Sequence, residues 1–226
     1  IAEELDSRGV SLAVTVNRHV LSLICTCLVE DFRSVLALLA EIVMRPTFPS
    51  AEVESRRGEI VTLIRQDEDN PATVAVETLM RSLYGDTHPY GRPVRGTLAS
   101  VERIDSPVLQ RFHAERFLPA SLVLALVGDV DAATAVDVAA AAFGPWKAGP
   151  LAHPQLPDIR PARQRQVHVV PMMNKAQADI ACGSTTILRS DPGYYGYWLM
   201  NNILGQYSLG GRLGETIRER QGMAYY

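Results

Sequence analysis

The chain is poor in cysteine, in lysine and in long apolar runs. Three cysteines occur in 226 residues: Cys25 and Cys27 lie two apart in an alternating apolar run, and Cys182 stands far from both. That is too few for a disulfide framework. A C-x-C without a second pair or an adjacent His reads as buried free thiols in a strand, not as a metal site. Lysine appears only as Lys147 and Lys175 among 22 basic residues, a bias of GC-rich genomes that carries no mechanism. Basic residues do not outnumber the 25 acidic ones, and the formal net charge is −3. Without a basic stripe to neutralise phosphates, nucleic acid is excluded as the main partner. No apolar run approaches the roughly 20 residues of a membrane-spanning helix. No signal peptide is visible. The chain opens inside a helical pattern, so its true beginning is expected upstream; the compartment stays open, with bacterial cytoplasm or periplasm the expectation.

What remains is the composition of an ordinary globular protein, with 47% hydrophobic and 21% charged residues, in a chain long enough to bury a core. The residues from Ile1 to Arg8 read as the end of a helix closed by Gly9. Val10 to Val16 and Val20 to Val29 alternate as two strands around an Asn17-Arg18-His19 turn. Phe32 to Val43 repeats at helical spacing up to Arg45-Pro46. Ser50 is positioned to cap a helix running to about Asp69, closed by Asn70-Pro71. Val74 to Tyr84 predicts a third helix, ended by Gly85. The turn-rich loop His88-Pro89-Tyr90-Gly91-Arg92-Pro93 comes next and reads as structured. Ser106-Pro107 opens a further helix, on which His113 reads as a surface or interface residue. Ser121 to Val127 reads as a buried strand, and Asp131 caps an alanine-rich helix ending near Phe143-Gly144.

Prolines at 145, 150, 154, 157 and 161 then stud a stretch without apolar periodicity. This gives a domain reading of 1–144, a linker over 145–164, and a second region over 165–226. In the second region Gln166 to Val170 and Ala178 to Cys182 read as strands, Pro192 to Leu204 and Arg212 to Arg220 as helices. Gly205 to Gly211 reads as a flexible loop, and Met223 to Tyr226 as the start of a strand. The order is α+β twice over, two similar repeats of helices on a mainly antiparallel sheet, the second truncated. The glycine loop lacks the G-K-[ST] ending of a phosphate loop. Asp67-Glu68-Asp69 reads as a solvated helix end.

Two segments resemble the peptidase family that includes pitrilysin, insulinase and the mitochondrial processing peptidase. The first is FPSAEVESRRGEIVTLIRQDEDNP, Phe48 to Pro71, with YGDTHPYGRPVRGT and FLPASLVLALVGDVD after it. The second is ILGQYSLGGRLGETIRERQGMAYY at the end. Family members pair two halves, each of two α+β repeats, around a peptide. The resemblance implies that zinc is held by an H-x-x-E-H helix and a Glu on a later helix. No H-x-x-E-H occurs here; of the five histidines (His19, His88, His113, His153 and His168) no two are four apart. Aligning Arg57-Gly58 and Glu68 to Pro71 with the family pattern puts Leu63 at the metal-binding Glu and Arg56 at the second acidic position. A Leu cannot ligate zinc and an Arg repels it. Glu59, one turn from Leu63, would become a ligand only in a slipped register and reads as solvated.

The resemblance also implies a role for the half without zinc. Its pattern R-L-x-x-x-I-R-E-x-x-G-L-A-Y appears here from Arg212 to Tyr225, making Arg218 and Tyr225 the substrate-binding pair; Arg220 is a surface neighbour. Arg218 is suited to holding a substrate carbonyl and Tyr225 to stabilising an oxyanion. The expectation is therefore a metal-free half, with no catalytic residue and no metal ligand of its own. Zinc would sit in a homologous partner half, as a heterodimer subunit or in the same polypeptide, and substrates would be peptides. Two alternatives stay open: a scaffold without peptidase role, as in core subunits of respiratory complexes, and a self-sufficient zinc peptidase whose motif lies upstream.

Overall fold

The computed structural model describes residues 2–150, 155–159, 164–206 and 210–224. It divides into two compact units, Ile1–Cys182 and Gly183–Tyr226. The architecture is α+β, as expected from the sequence.

In the first unit, helix α1 (Ala2–Ser7) leads through Gly9 into the antiparallel strands β1 (Ser11–Val16) and β2 (Leu21–Thr26). Their register pairs Ser11 with Thr26 and Val16 with Leu21. The turn is set by Asn17, whose side-chain oxygen accepts from the backbone of His19 at 2.8 Å and of Val20 at 2.9 Å, the local bonding for which Asn is favoured in turns. Residues alternate faces along a strand, so Cys25 and Cys27 share one face. That face packs with Leu12 on a core of Leu5, Val10 and Val35. The C-x-C is thus a packing feature, and its thiols are free.

Helix α2 (Phe32–Met44) buries Val35, Leu36 and Ala40. Helix α3 (Ser50–Glu68) buries Ile64 alone. Its stability comes from strong helix formers and from the i,i+3 ion pairs Glu54–Arg57 and Arg56–Glu59, each a modest contribution. Ser50 is the first residue of α3 and not its cap; Pro49 precedes it without a side-chain bond. The capping chemistry falls one junction later. Asn70 opens α4 (Pro71–Tyr84), accepting from Ala72 N at 3.0 Å and Thr73 N at 3.3 Å, with Pro71 at the first helical position. The same Asn-Pro therefore ends one helix and starts the next, three residues earlier than Val74.

Helix α5 (Leu98–Val101) carries a capping box between Thr97 and Ser100. Helix α6 (Ser106–Arg116) is capped by Asp105 and tied to the α2–α3 corner at two points. Buried Ser106 donates to Phe48 O at 2.7 Å, and His113 Nε2 bonds Val43 O at 2.7 Å. His113, expected as a surface or interface residue, is half-buried and stacks on Phe117. Helix α7 (Ala132–Phe143) is capped by Asp131 through Thr134 N and packs on α2.

The expected strand from Ser121 to Val127 does not form. Pro119–Ser121 is a short 3-10 turn, and the extended residues after it stay solvent-facing, with Val123 91% and Val127 100% exposed. Gln166 to Val170 and Ala178 to Cys182 likewise form no strand. The apolar alternation specified a pleated segment; a strand also needs a neighbour to complete its backbone bonds, and among the described residues only β1 and β2 supply one another. The expected linker over 145–164 is non-helical where described; 151–154 and 160–163 lie outside the described residues.

In the second unit, α8 (Tyr194–Asn201) runs into a π-helical turn, Asn202–Gln206, and a further π-helical segment spans Gly214–Glu219. Both expected helices are present; the first ends in a π-helical turn interrupted at Gly205, and the second is π-helical over most of its length.

Candidate functional site

The site residues inferred from sequence lie on α3 and at the end of the second unit. On α3, Arg56 and Leu63 are seven apart, two turns along one helix face. Leu63 is half-buried, while Arg56 points into solvent and forms an ion pair with Glu59. Of the acidic side chains one turn from Leu63 on this face, Asp67 pairs with Arg95 and Glu59 is already engaged by the Arg56 guanidinium. A cation would have to displace that guanidinium and sit against a leucine; the donor set does not fit zinc. Among the described residues no three His, Cys, Asp or Glu side chains converge as a metal site. Arg57, which anchors the alignment with the family pattern, is half-buried and donates to Ile104 O at 3.0 Å. That bond ties α3 to the α5–α6 corner.

In the second unit the two end glycines of the glycine-rich segment, Gly205 and Gly211, lie against each other. A Cβ on Gly211 would come within 2.7 Å of Gly205 Cα, and one on Gly205 within 2.8 Å of Leu213. Only glycine permits that approach. The loop's ends are therefore held together at the start of the segment bearing Arg218. That segment ends at Gly222, in the left-handed region at φ 62°, with Gly222 N bonded to Arg218 O and Met223 N to Ile217 O, both at 3.0 Å. This is the glycine turn expected where the helix gives way to the segment beginning at Met223. Arg218 and Arg220 have different surroundings. The Arg218 side chain is 31% exposed, its Nε 3.5 Å from Glu219; that of Arg220 is 70% exposed and paired with Glu215. Tyr225 lies outside the described residues, so the pairing of Arg218 with Tyr225 stays an expectation from the sequence.

A third cluster joins segments that the sequence kept apart. The β1–β2 turn reaches the loop after α4: Arg18 donates to Tyr90 O at 3.5 Å and Arg92 O at 3.4 Å, and its guanidinium lies 5.9 Å over the Tyr90 ring. His19 Nε2 bonds the Tyr90 hydroxyl. His88, 4% exposed, accepts from Tyr90 N at 3.1 Å and stacks on Tyr84. The loop is structured, as its sequence indicated. Its partner 71 residues away had no signal in either segment. Behind the cluster, burial raises the Glu77 carboxyl above its ordinary value, and Asp67 adds to the shift; Arg81, Arg18 and Arg95 oppose it. Burial likewise pushes up the Cys25 thiol, with Cys27 adding to it.

These features describe an α+β chain in which the described residues bring together no set of side chains fit to hold a metal ion. The chain belongs to peptidase family M16, the insulinase family: the description "Peptidase M16 inactive domain" matches residues 103–226, and "Insulinase (Peptidase family M16)" matches residues 1–98. An uncharacterised zinc protease of Streptomyces coelicolor is 30% identical over 77% of this chain and 38% of its own length. One of Mycobacterium leprae is 28% identical over 100% of this chain and 50% of its own. The chain thus spans about half or less of these relatives. The crystal structure of a peptidase M16 inactive domain from Pseudomonas fluorescens superposes with a TM-score of 0.82 at 27% identity, over 99% of this chain and 54% of that one.

Proposed function

We propose that this chain is the metal-free half of a two-part zinc metalloendopeptidase. It binds peptide and completes the active site of a homologous, zinc-bearing half, located in a separate subunit or elsewhere in the same polypeptide. The observation that carries the reading is the pair of substitutions on α3. Leu63 stands where the family has its metal-binding Glu, and Arg56 stands at the second acidic position, engaged with Glu59. The match to an inactive-domain description supports it. This chain's contribution is substrate contact. Arg218, half-buried on the helical segment after the glycine-rich stretch, presents a guanidinium to a peptide carbonyl. Tyr225, seven residues after Arg218 in the sequence, donates its hydroxyl to charge developing on that carbonyl oxygen. Exclusion of water by the closed chamber strengthens both interactions.

The test uses the intact assembly. Changing the general-base Glu of the partner's H-x-x-E-H to Gln abolishes all peptide cleavage, because no second metal centre exists. Cleavage that survives this change, and is lost on substituting residues of this chain's α3, overturns the reading.

A further inference from the structure

We propose that the groove between α2 and the end of α7 binds an amphipathic monocarboxylate of fatty-acid type, with an unbranched apolar body and one carboxylate. The proposal goes beyond the peptidase reading and does not depend on it. Helix α7 packs on α2, yet the two do not fill the space between them. An open groove of about 560 Å³ remains, within the size range of small-molecule sites. Its existence follows from residue size. The α2 wall carries Ala37, Ala40 and Met44 along one helix face, and the α7 wall carries Ala141 and Ala142. Methyl-sized side chains on both helices leave room that larger ones would occupy. Trp146, half-buried just beyond α7, adds an indole surface. An apolar body that displaces water from this lining gains by its own burial.

Charge on the rim decides the polar end of the ligand. Arg45, at the C-terminal cap of α2, and Lys147, next to Trp146, are both exposed and both line the groove. Glu41 lines it too, one turn before Arg45. Among the described residues none of these three takes part in an ion pair. Glu41 and Arg45 thus leave each other unneutralised, although their spacing on one helix would allow a pair. Two unpaired cations stand against one unpaired carboxylate, and a single negative charge on the ligand balances them. The planar Arg45 guanidinium matches the two oxygens of a carboxylate. A dianion would bring its second charge against Glu41, and a cationic head would meet two like charges. The carbonyls at the end of α2 are electronegative, so the carboxylate is held by these side chains and not by the helix end. Charge complementarity therefore selects a monoanion, and the alanine-lined trough selects an unbranched body.

Isothermal titration of the intact protein with decanoate, kept below its micelle threshold, tests the site. One saturable binding event is expected. Decanol, with the same chain and no charge, and decylamine, with the opposite charge, bind at least about tenfold more weakly, the loss expected for a charge-assisted bond. Arg45→Gln and Lys147→Gln each weaken decanoate binding by about the same factor, and Glu41→Gln tightens it. All three side chains are exposed, so the variants keep the fold. Ala37→Phe fills the groove from its exposed edge and abolishes binding without lowering the melting temperature. The proposal is overturned by uptake that does not saturate, by decanol or decylamine binding as tightly as decanoate, by unchanged affinity in the Arg45 and Lys147 variants, or by binding that survives Ala37→Phe. An apolar peptide with a free C-terminal carboxylate that binds more tightly than decanoate also overturns it, since the groove would then be a peptide-terminus site.

Discussion

Replacing Arg218 by Ala separates a substrate-binding role from a structural one, because the surroundings of Arg218 set a low ceiling on its structural value. Its one ion pair is with Glu219, its chain neighbour, at 3.5 Å, with side-chain exposures of 31% and 62%. Pairs this open contribute about 0–1 kcal/mol, and Arg218→Ala should cost no more than that in chemical denaturation. A charge-assisted bond from the guanidinium to a substrate carbonyl is worth about 1.5–3 kcal/mol, which converts to a loss of about 10- to 150-fold in kcat/KM. The assay is steady-state peptide cleavage by the intact assembly, with zinc content and denaturation midpoint measured on the same samples. Arg220→Ala is the internal control, since that side chain is 70% exposed and paired with Glu215; it should leave cleavage within about twofold of wild type, below 0.5 kcal/mol. An Arg218→Ala enzyme with unchanged kcat/KM, or an equal loss in both variants, refutes the reasoning.

Three more perturbations have definite expected outcomes. Asn70→Ala removes the cap that accepts from Ala72 N and Thr73 N and should cost about 1 kcal/mol of stability, measured by urea titration, whereas Asn70→Asp should restore most of it. Glu77 should make stability depend on pH. Its folded pKa is raised above the ordinary 4.5, so in the window just above 4.5 the folded state binds more protons than the unfolded one, and stability falls as pH rises through the folded value. Glu77→Gln should melt higher than wild type at pH 7 and lose that advantage below 4.5; equal melting curves at both pH values contradict the shift. Tyr225→Phe should lower turnover of the assembly without changing its zinc content.

The helices are legible in the sequence because their signals are local. Asn70, Asp105 and Asp131 each satisfy backbone donors within three residues, and Gly85 and Gly222 close helices in the left-handed region. Boundaries slip where one residue has two uses: Asn70 reads as a stop, yet it also starts α4. Strands are less legible, since an alternating run such as Ser121 to Val127 states which residues share a face and says nothing of the strand that must lie beside it. The same limit hides the Arg18–Tyr90 contact, made across 72 residues, and the burial of His113 against Val43. The expectation that Leu63 and Arg56 stand at the family's acidic positions on α3 comes from the order of residues alone. What the structure adds is that the carboxylates one turn either side of Leu63 are engaged, Glu59 by Arg56 and Asp67 by Arg95.

The central claim is that this chain's α3 holds no metal, and Glu59→Gln tests it most directly. Zinc is measured per assembly by elemental analysis of the intact protein after exhaustive dialysis, in wild type and in the variant. The account predicts the same zinc content in both. Loss of zinc in Glu59→Gln would make that carboxylate a ligand and would contradict the account.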